Sequence, residues 1–299
     1  MYFDSIKSSS DGLNLALAYS LPKRDVKGII QFSHGMAEHK ERYYPFMEFL
    51  SSKGYICVIH DHRGHGASVK SNDDLGYFYT NDINYIVDDL LEVTKYMKSK
   101  FKCSNYYMFS HSMGTLVARC YMQKYDKGIN KIVLCGTPTY NKLGPLALTM
   151  AEISNFFGSK KRDMFLDKLT FSSFNKGYDY KNAWLSKNKK NVDNYNNDNL
   201  CGFVFTTNGF INLYKLQIRA FKDKLFKCQN KDLNILMIAG SDDPVIGNEE
   251  LFTGLKEFLT NVGYQNIESK LYNSLRHEIL NEDEYMEIYQ DVLNFIEGV

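Results

Sequence analysis

Tyr106-Tyr107-Met108-Phe109-Ser110-His111-Ser112-Met113-Gly114-Thr115-Leu116-Val117-Ala118 is the stretch from which the fold can be read. An apolar, aromatic run stops in small residues, and a helical pattern (Leu116, Val117, Cys120, Tyr121) follows at once. The spacing predicts strand, tight turn and helix, with Ser112 at the apex. A serine there projects its hydroxyl out of the sheet. It also stands at the positive end of a helix, whose free N–H groups favour developing negative charge. Gly114 supplies a small residue where the helix must turn back against the strand. The plain alternative is a strand–helix junction whose Ser112 only caps the helix.

Outward from this turn, the chain alternates strands and helices. Gly28–Ser33 and Tyr55–His60 read as buried strands, with a helix near Tyr43–Lys53 between them. Apolar residues at 83, 86, 87, 90, 93 and 97 predict a helix from Asp82 to Lys100, with Asp82 as its cap. Ile129–Gly136 is a further strand, and Ser10-Asp11-Gly12 suggests a hairpin within residues 1–22. The alternation stops after Thr137 and resumes with a strand at Leu233–Gly240. A helix near Glu249–Thr260, a strand near Ile267–Tyr272 and a helix over Glu282–Glu297 close the chain. This pattern predicts a mostly parallel central sheet flanked by helices. Residues 1–139 and 231–299 form the core. Residues 140–230 are an insertion, read as a helical lid over the carboxyl edge of the sheet.

The 299 residues suffice for one large α/β domain, and 44% hydrophobic content allows a sizeable core. Net charge is +1 with no basic stripe, which argues against nucleic acid as a partner. Met1–Lys7 lacks the pattern of a secretory signal, and no apolar run approaches the ~18 residues of a membrane span. Cys57, Cys103, Cys120, Cys135, Cys201 and Cys228 are scattered, as reduced thiols of a cytoplasmic protein would be.

A serine hydroxyl needs a base to take its proton, and the base needs an orienting partner. Gly240-Ser241-Asp242-Asp243-Pro244-Val245 and Leu275-Arg276-His277-Glu278-Ile279 follow predicted strands, at the edge that presents Ser112. His277 is the one histidine downstream of Ser112, so the chain order Ser, Asp, His singles it out. That order is the one found in α/β hydrolases. Asp242 and Asp243 compete for the middle role, and chemistry alone does not separate adjacent carboxylates. The plain alternatives are a helix cap for the aspartate and an ordinary loop residue for the histidine. Backbone N–H groups of Met113, after the nucleophile, and of Met36, after His34-Gly35, are candidate donors to an oxyanion. His34 and Gly35 are alternatively a structural turn supporting that loop. His60-x-His62-x-x-His65 invites a metal reading, but no carboxylate or cysteine partners are arranged around it and Gly66-Ala67-Ser68 suggests a tight loop. No metal is assigned. No phosphate-cradling or dinucleotide fingerprint occurs, so no cofactor is implied.

His34-Gly35-Met36-Ala37-Glu38-His39, Arg42-Tyr43 and Asp61-His62-Arg63-Gly64-His65-Gly66-Ala67-Ser68 resemble monoacylglycerol lipase and its bacterial lysophospholipase-like relatives, in the serine-aminopeptidase-like branch of α/β hydrolases. Ser110-His111-Ser112-Met113-Gly114, the 240–245 loop and Arg276-His277-Glu278 continue the likeness, and Leu200-Cys201-Gly202-Phe203 resembles the bacterial lid. The resemblance implies an α/β-hydrolase fold with an inserted lid. It further implies Ser112 as nucleophile, Asp243 as orienter, His277 as base, and Met36 and Met113 as oxyanion donors. Ser110 departs from the family's first elbow glycine.

Leu143–Ile153 with Phe156-Phe157 form an apolar segment suited either to flanking an acyl chain or to packing the lid onto the core. Phe203, Phe205, Phe210 and Trp184 carry the same two readings. The expectation is a serine esterase or lipase acting on a small-molecule ester or lipid, monoacylglycerol or lysophospholipid, with a lid apolar enough for transient contact with a membrane surface. The competing expectations are a peptidase or amidase of the same branch, and a non-catalytic hydrolase fold that binds an apolar ligand or partner.

Overall fold

The computed structural model describes residues 1–23 and 25–299. Its strands are β1 (Tyr2–Lys7), β2 (Asn14–Ser20), β3 (Gly28–Ser33), β4 (Tyr55–His60), β5 (Tyr106–His111), β6 (Lys131–Cys135), β7 (Asn234–Gly240) and β8 (Asn266–Tyr272). They form one eight-stranded sheet in the order β1-β2-β4-β3-β5-β6-β7-β8. The β1–β2 hairpin is antiparallel and sits at the edge, β2 runs antiparallel to β4, and every other pairing is parallel. β3 and β4 are buried at every position, as strands covered on both faces must be.

The helices are α1 (Tyr44–Ser52), α2 (Asn84–Phe101), α3 (Met113–Tyr125), α4 (Gly144–Asn155), α5 (Met164–Phe171), α6 (Lys189–Asn197), α7 (Thr207–Ala220), α8 (Glu249–Asn261) and α9 (Tyr285–Glu297). Along β3 the side chains alternate between two cores: Ile29 joins α2, α3 and α8 residues such as Leu90, Val117 and Leu255. Ile30 and Phe32 join α1 and α9 residues such as Phe46, Leu50, Ile288 and Val292. α4–α7 lie between β6 and β7. Their Ala151, Leu166, Phe210 and Leu216 are buried in the first core, so the inserted segment shares packing with the sheet.

Two helix starts differ from the sequence expectation. α2 begins at Asn84, and Asp82 stands just outside it, its carboxylate accepting the Asn84 N–H at 2.9 Å. α9 begins at Tyr285 because Glu282 is engaged elsewhere. Its carboxylate accepts from Ser186 Oγ at 2.7 Å and from the N–H groups of Lys187, Asn188 and Arg276, tying the inserted segment to the loop after β8.

The strand order positions the site. From β3 the chain goes to β4 on one side, then returns past β3 to β5 on the other. The crevice beyond the carboxyl ends of β3 and β5 is therefore a topological switch point, where ligands bind in open α/β sheets. Gly35-Met36 follows β3 and Ser112 follows β5.

Candidate active site

Ser112 connects β5 to α3 with φ 50° and ψ −121°, outside the regions that L-residues favour. Such a conformation costs of order 1–3 kcal/mol and persists only where neighbours enforce it. Here the Ser112 N–H donates to Cys135 O at 3.0 Å, and its carbonyl accepts from Thr115 N–H at 2.9 Å and Thr115 Oγ1 at 2.7 Å. Although Ser112 occupies the N-cap position, its side chain makes no capping bond. The hydroxyl faces a pocket instead. A Cβ at Gly114 would run into the carbonyls of Ser33 and His34, so α3 approaches β3 this closely only with glycine there.

Ser110 is accommodated because it is a strand residue, in register with Ser33 and Leu134. Its buried hydroxyl donates to Val133 O at 2.9 Å.

Asp243 and His277 meet at 2.9 Å, Oδ2 to Nδ1, and both are buried. Asp243 Oδ1 also accepts the Val245 N–H at 2.8 Å, which aims the carboxylate. Asp242 points to solvent, beside Ser241 Oγ at 3.1 Å. With Nδ1–H donated to Asp243, His277 keeps Nε2 as its acceptor nitrogen. Gly136, at φ +55°, lies directly against the pair: a Cβ there would stand 3.1 Å from the His277 ring and 3.3 Å from Asp243 Oδ2.

Met36 and Met113 line the same pocket as Ser112 and His277. Among the described loop and turn bonds, neither the Met36 nor the Met113 N–H has an acceptor. A Cβ on Gly35 would come within 3.2 Å of Ser112 Cβ, so the glycine lets the loop close on the serine. His34 braces that loop from below, its Nε2 accepting the His62 N–H at 2.9 Å. His62 Nε2 bonds Ser33 Oγ at 3.0 Å and His65 Nε2 accepts the Ala37 N–H at 3.2 Å. The histidine-rich motif thus engages backbone and hydroxyl groups under the site. Among the described residues, the side chains nearest to a metal-binding set are His39, Asp198 and Cys201, whose ligating atoms lie within 4.8 Å of one another. Burial keeps the Cys201 thiol protonated, and His39 Nε2 contacts Asp198 Oδ2 at 2.8 Å, so the group ties the Met36 loop to the inserted segment.

A buried charge network was not assigned a role from sequence. Glu38 Oε1 accepts from Gly35 N–H at 2.5 Å and Tyr43 OH at 2.7 Å. Arg42 bonds Glu38 Oε2 at 2.8 Å and grips Glu278 with two bonds of 2.6 Å. Burial opposes ionisation of Glu38, but the bond from His111 and the charge of Arg42 outweigh it and hold the carboxyl well below its ordinary range. His111 bridges this network to the His277 carbonyl through Nε2 at 3.2 Å. The available signal was a glutamate three residues after the loop glycine and an arginine four residues further on, in Glu38-His39-Lys40-Glu41-Arg42.

The pocket encloses about 630 Å³. Its roof is apolar, from Leu146, Met150, Met164, Phe171, Phe174 and Trp184. The Trp184 ring lies 5.2 Å from His277. Of the aromatic residues with two readings, Phe203 and Trp184 line this pocket, whereas Phe205 and Phe210 are fully buried in the core. A second cleft, about 780 Å³, runs over α8 between Tyr140, Phe221 and Phe258; it contains none of the site residues above and is a surface groove rather than a site with converging chemistry.

The family model of the serine aminopeptidases, S33, matches residues 24–284. The chain belongs to this hydrolase family. It is 30% identical over 133 residues to a probable lysophospholipase L2 of Haemophilus influenzae, across 44% of this chain and 42% of that protein. It is 27% identical over 195 residues to the human monoglyceride lipase, across 64% of this chain and 58% of that one. The matches thus span about half the length of these relatives. A thermostable carboxyl esterase from Bacillus coagulans, solved with glycerol, superposes with a TM-score of 0.90 at 24% identity, covering 100% of this chain and 99% of that one. The likeness establishes the α/β-hydrolase fold.

Proposed function

We propose that this hydrolase cleaves carboxylic esters carrying one fatty chain, monoacylglycerols or lysophospholipids, through Ser112, His277 and Asp243. The observation that carries the reading is the Asp243–His277 pair opening, with Ser112, into one pocket under an apolar roof. Ser112 Oγ attacks the ester carbonyl carbon while its proton passes to His277 Nε2. Asp243 holds Nδ1–H and stabilises the imidazolium. The oxyanion takes hydrogen bonds from the Met36 and Met113 N–H groups, which have no other loop acceptor. Collapse releases the alcohol with the proton from Nε2 and leaves an acyl-serine. Water then gives a proton to Nε2 and attacks the acyl carbon, and collapse frees the acid as that proton returns from Nε2 to the departing Ser112 Oγ.

Residues 140–230 act as the lid. Leu146, Met150 and Phe171 flank the acyl chain, and the exposed apolar side of the lid makes transient contact with a membrane surface. Six free cysteines suit a cytoplasmic setting. Among the described residues no helix is long and apolar enough to cross a membrane.

The test is hydrolysis of p-nitrophenyl esters of increasing chain length by the wild type and Ser112→Ala. Turnover that rises towards medium or long chains and falls by about 10⁴ or more in the variant is expected. Preference for aminoacyl arylamides would instead establish a peptidase of this family, and absence of labelling by a fluorophosphonate would establish a binding protein.

A further inference from the structure

The pocket above Ser112 carries charge that the acyl-transfer steps do not use. Beyond the catalytic groups and the Glu38 network, several polar side chains of its wall are bonded within the protein. Asn141 Oδ1 accepts the Leu143 N–H, and Thr170 Oγ1 bonds the Leu166 carbonyl and Tyr214 OH. Asn182 Nδ2 donates to Asn196 Oδ1, and Gln217 Nε2 to the Thr139 carbonyl. Asp167, Ser173 and Lys181 line the same wall. Among the described residues, no hydrogen bond or ion pair engages their side chains.

Both charged residues stand on backbone that is held. Asp167 is in α5, which Asp163 caps by accepting the Leu166 N–H at 3.1 Å. The Lys181 carbonyl accepts from Asn196 Nδ2 at 3.0 Å, so α6 fixes the segment that carries it. Burial pushes the half-buried Asp167 carboxyl above its ordinary range, and the charge of Lys181 opposes that shift, yet the two form no ion pair. Each is left to take an opposite charge from outside the chain.

Which end of an ester they meet follows from His277. Its Nε2 gives the proton to the departing alcohol, so the alcohol lies on the His277 side of the pocket. Trp184 is 5.2 Å from His277, and Phe174 is 5.2 Å from Trp184. Ser173 adjoins Phe174, and Lys181 stands three residues before Trp184. By contrast, α4 contributes only apolar side chains to the wall, those of Leu146, Ala147 and Met150.

We infer that Asp167 and Lys181 form a subsite for a zwitterionic leaving alcohol, Lys181 meeting its phosphate and Asp167 its ammonium group. A glycerol headgroup carries no charge and would leave both side chains without a partner. A phosphate linked to an ammonium supplies each with the opposite charge, in charge-assisted hydrogen bonds. Of the two substrate classes in the proposed function, the subsite selects lysophospholipids over monoacylglycerols. The inference rests on that esterase reading.

The test compares kcat/KM for palmitoyl lysophosphatidylethanolamine and for monopalmitoylglycerol, in the wild type, Asp167→Asn and Lys181→Gln. The wild type should favour the lysophospholipid by about tenfold or more, and each substitution should lower that ratio by about tenfold. The two substrates share an acyl chain, so a variant that merely loosened the pocket would slow both and leave the ratio as it was. A wild-type preference for the monoacylglycerol overturns the inference, as does a ratio that either substitution leaves within about twofold. Binding of the non-cleavable ether analogue of the lysophospholipid to Ser112→Ala reads the subsite without turnover. If the wild type cleaves neither ester but Asp167→Asn, added to Ser112→Ala, weakens this binding about tenfold, the esterase reading fails and the subsite stands. Binding indifferent to Asp167→Asn and Lys181→Gln overturns the subsite.

Discussion

The turn beneath Ser112 and the outer face of α4 and α5, two regions of one chain, hold their side chains by opposite means. Around Ser112, polar and charged groups are buried and bonded to one another: Glu38, Arg42, His111, Asp243, His277 and Glu278 reach each other across loops far apart in sequence. On α4 and α5, large apolar side chains stand in the open. A buried polar group is costly unless its partners are in place, so the first region is rigid and intolerant. The second region has little to lose from substitution. A site that must hold atoms to within about half an ångström asks for the first construction.

The largest expected break in the comparison separates two adjacent carboxylates. Asp243→Asn leaves His277 without the acceptor that orients it, and kcat on a p-nitrophenyl ester should fall by about 10⁴. Asp242→Asn, on an exposed side chain, should change kcat by less than about twofold. Equal losses would show that the 2.9 Å contact does not govern the base.

A smaller effect, on stability, tests the layer of histidines under the Gly35-Met36 loop. Burial, reinforced by the charge of His34, pulls His60 and His65 from 6.5 down to about 3. Both ring nitrogens of His60 are buried without a protein partner. Above pH 6.5 these rings are neutral whether folded or unfolded. Below it the unfolded chain takes up protons that the folded chain refuses, so stability is full above the unfolded value and is lost as pH falls towards 3. Each such group contributes about 1.4 kcal/mol per pH unit in that window. Tm should therefore fall by several degrees between pH 6.5 and about 5, above the range where carboxylates titrate. His60→Leu should flatten that decline; an unchanged slope would show that His60 is not part of it.

What the sequence made legible follows the same division. β3 and β4 announce themselves as unbroken apolar runs because both faces are covered, and the strand–turn–helix at Ser112 is local in sequence. Asp243 was separable from Asp242 only by resemblance, since one residue of loop geometry decides which carboxylate faces inward. The grip of Arg42 on Glu278 spans 236 residues and has no local signature. The inserted segment was hardest to read. α6 is a polar, Asn-rich helix capped by Asn188, and α4 is apolar on the side facing the pocket as well as on the side facing out. The apolar side of α6 is only Val192 and Tyr195, and α4 lacks the single apolar stripe from which a helix is read.

The smallest effect sharpens the comparison most, because it uses one substitution in both regions. Phe46, on α1, is 1% exposed and packs against Phe32, Phe109 and Tyr289. Phe46→Ala should cost about 3–5 kcal/mol in urea unfolding, the transfer of the ring plus the cavity it leaves. Phe156→Ala removes the same atoms from a ring 87% exposed, and should change stability by less than about 0.5 kcal/mol. A loss above about 1.5 kcal/mol at Phe156 would mean that the ring is covered in the free protein, by its own chain or by a second copy. If the two costs differ as expected, the ring at position 156 contributes nothing to folding. The two costs together then measure what burial alone adds to the same ring.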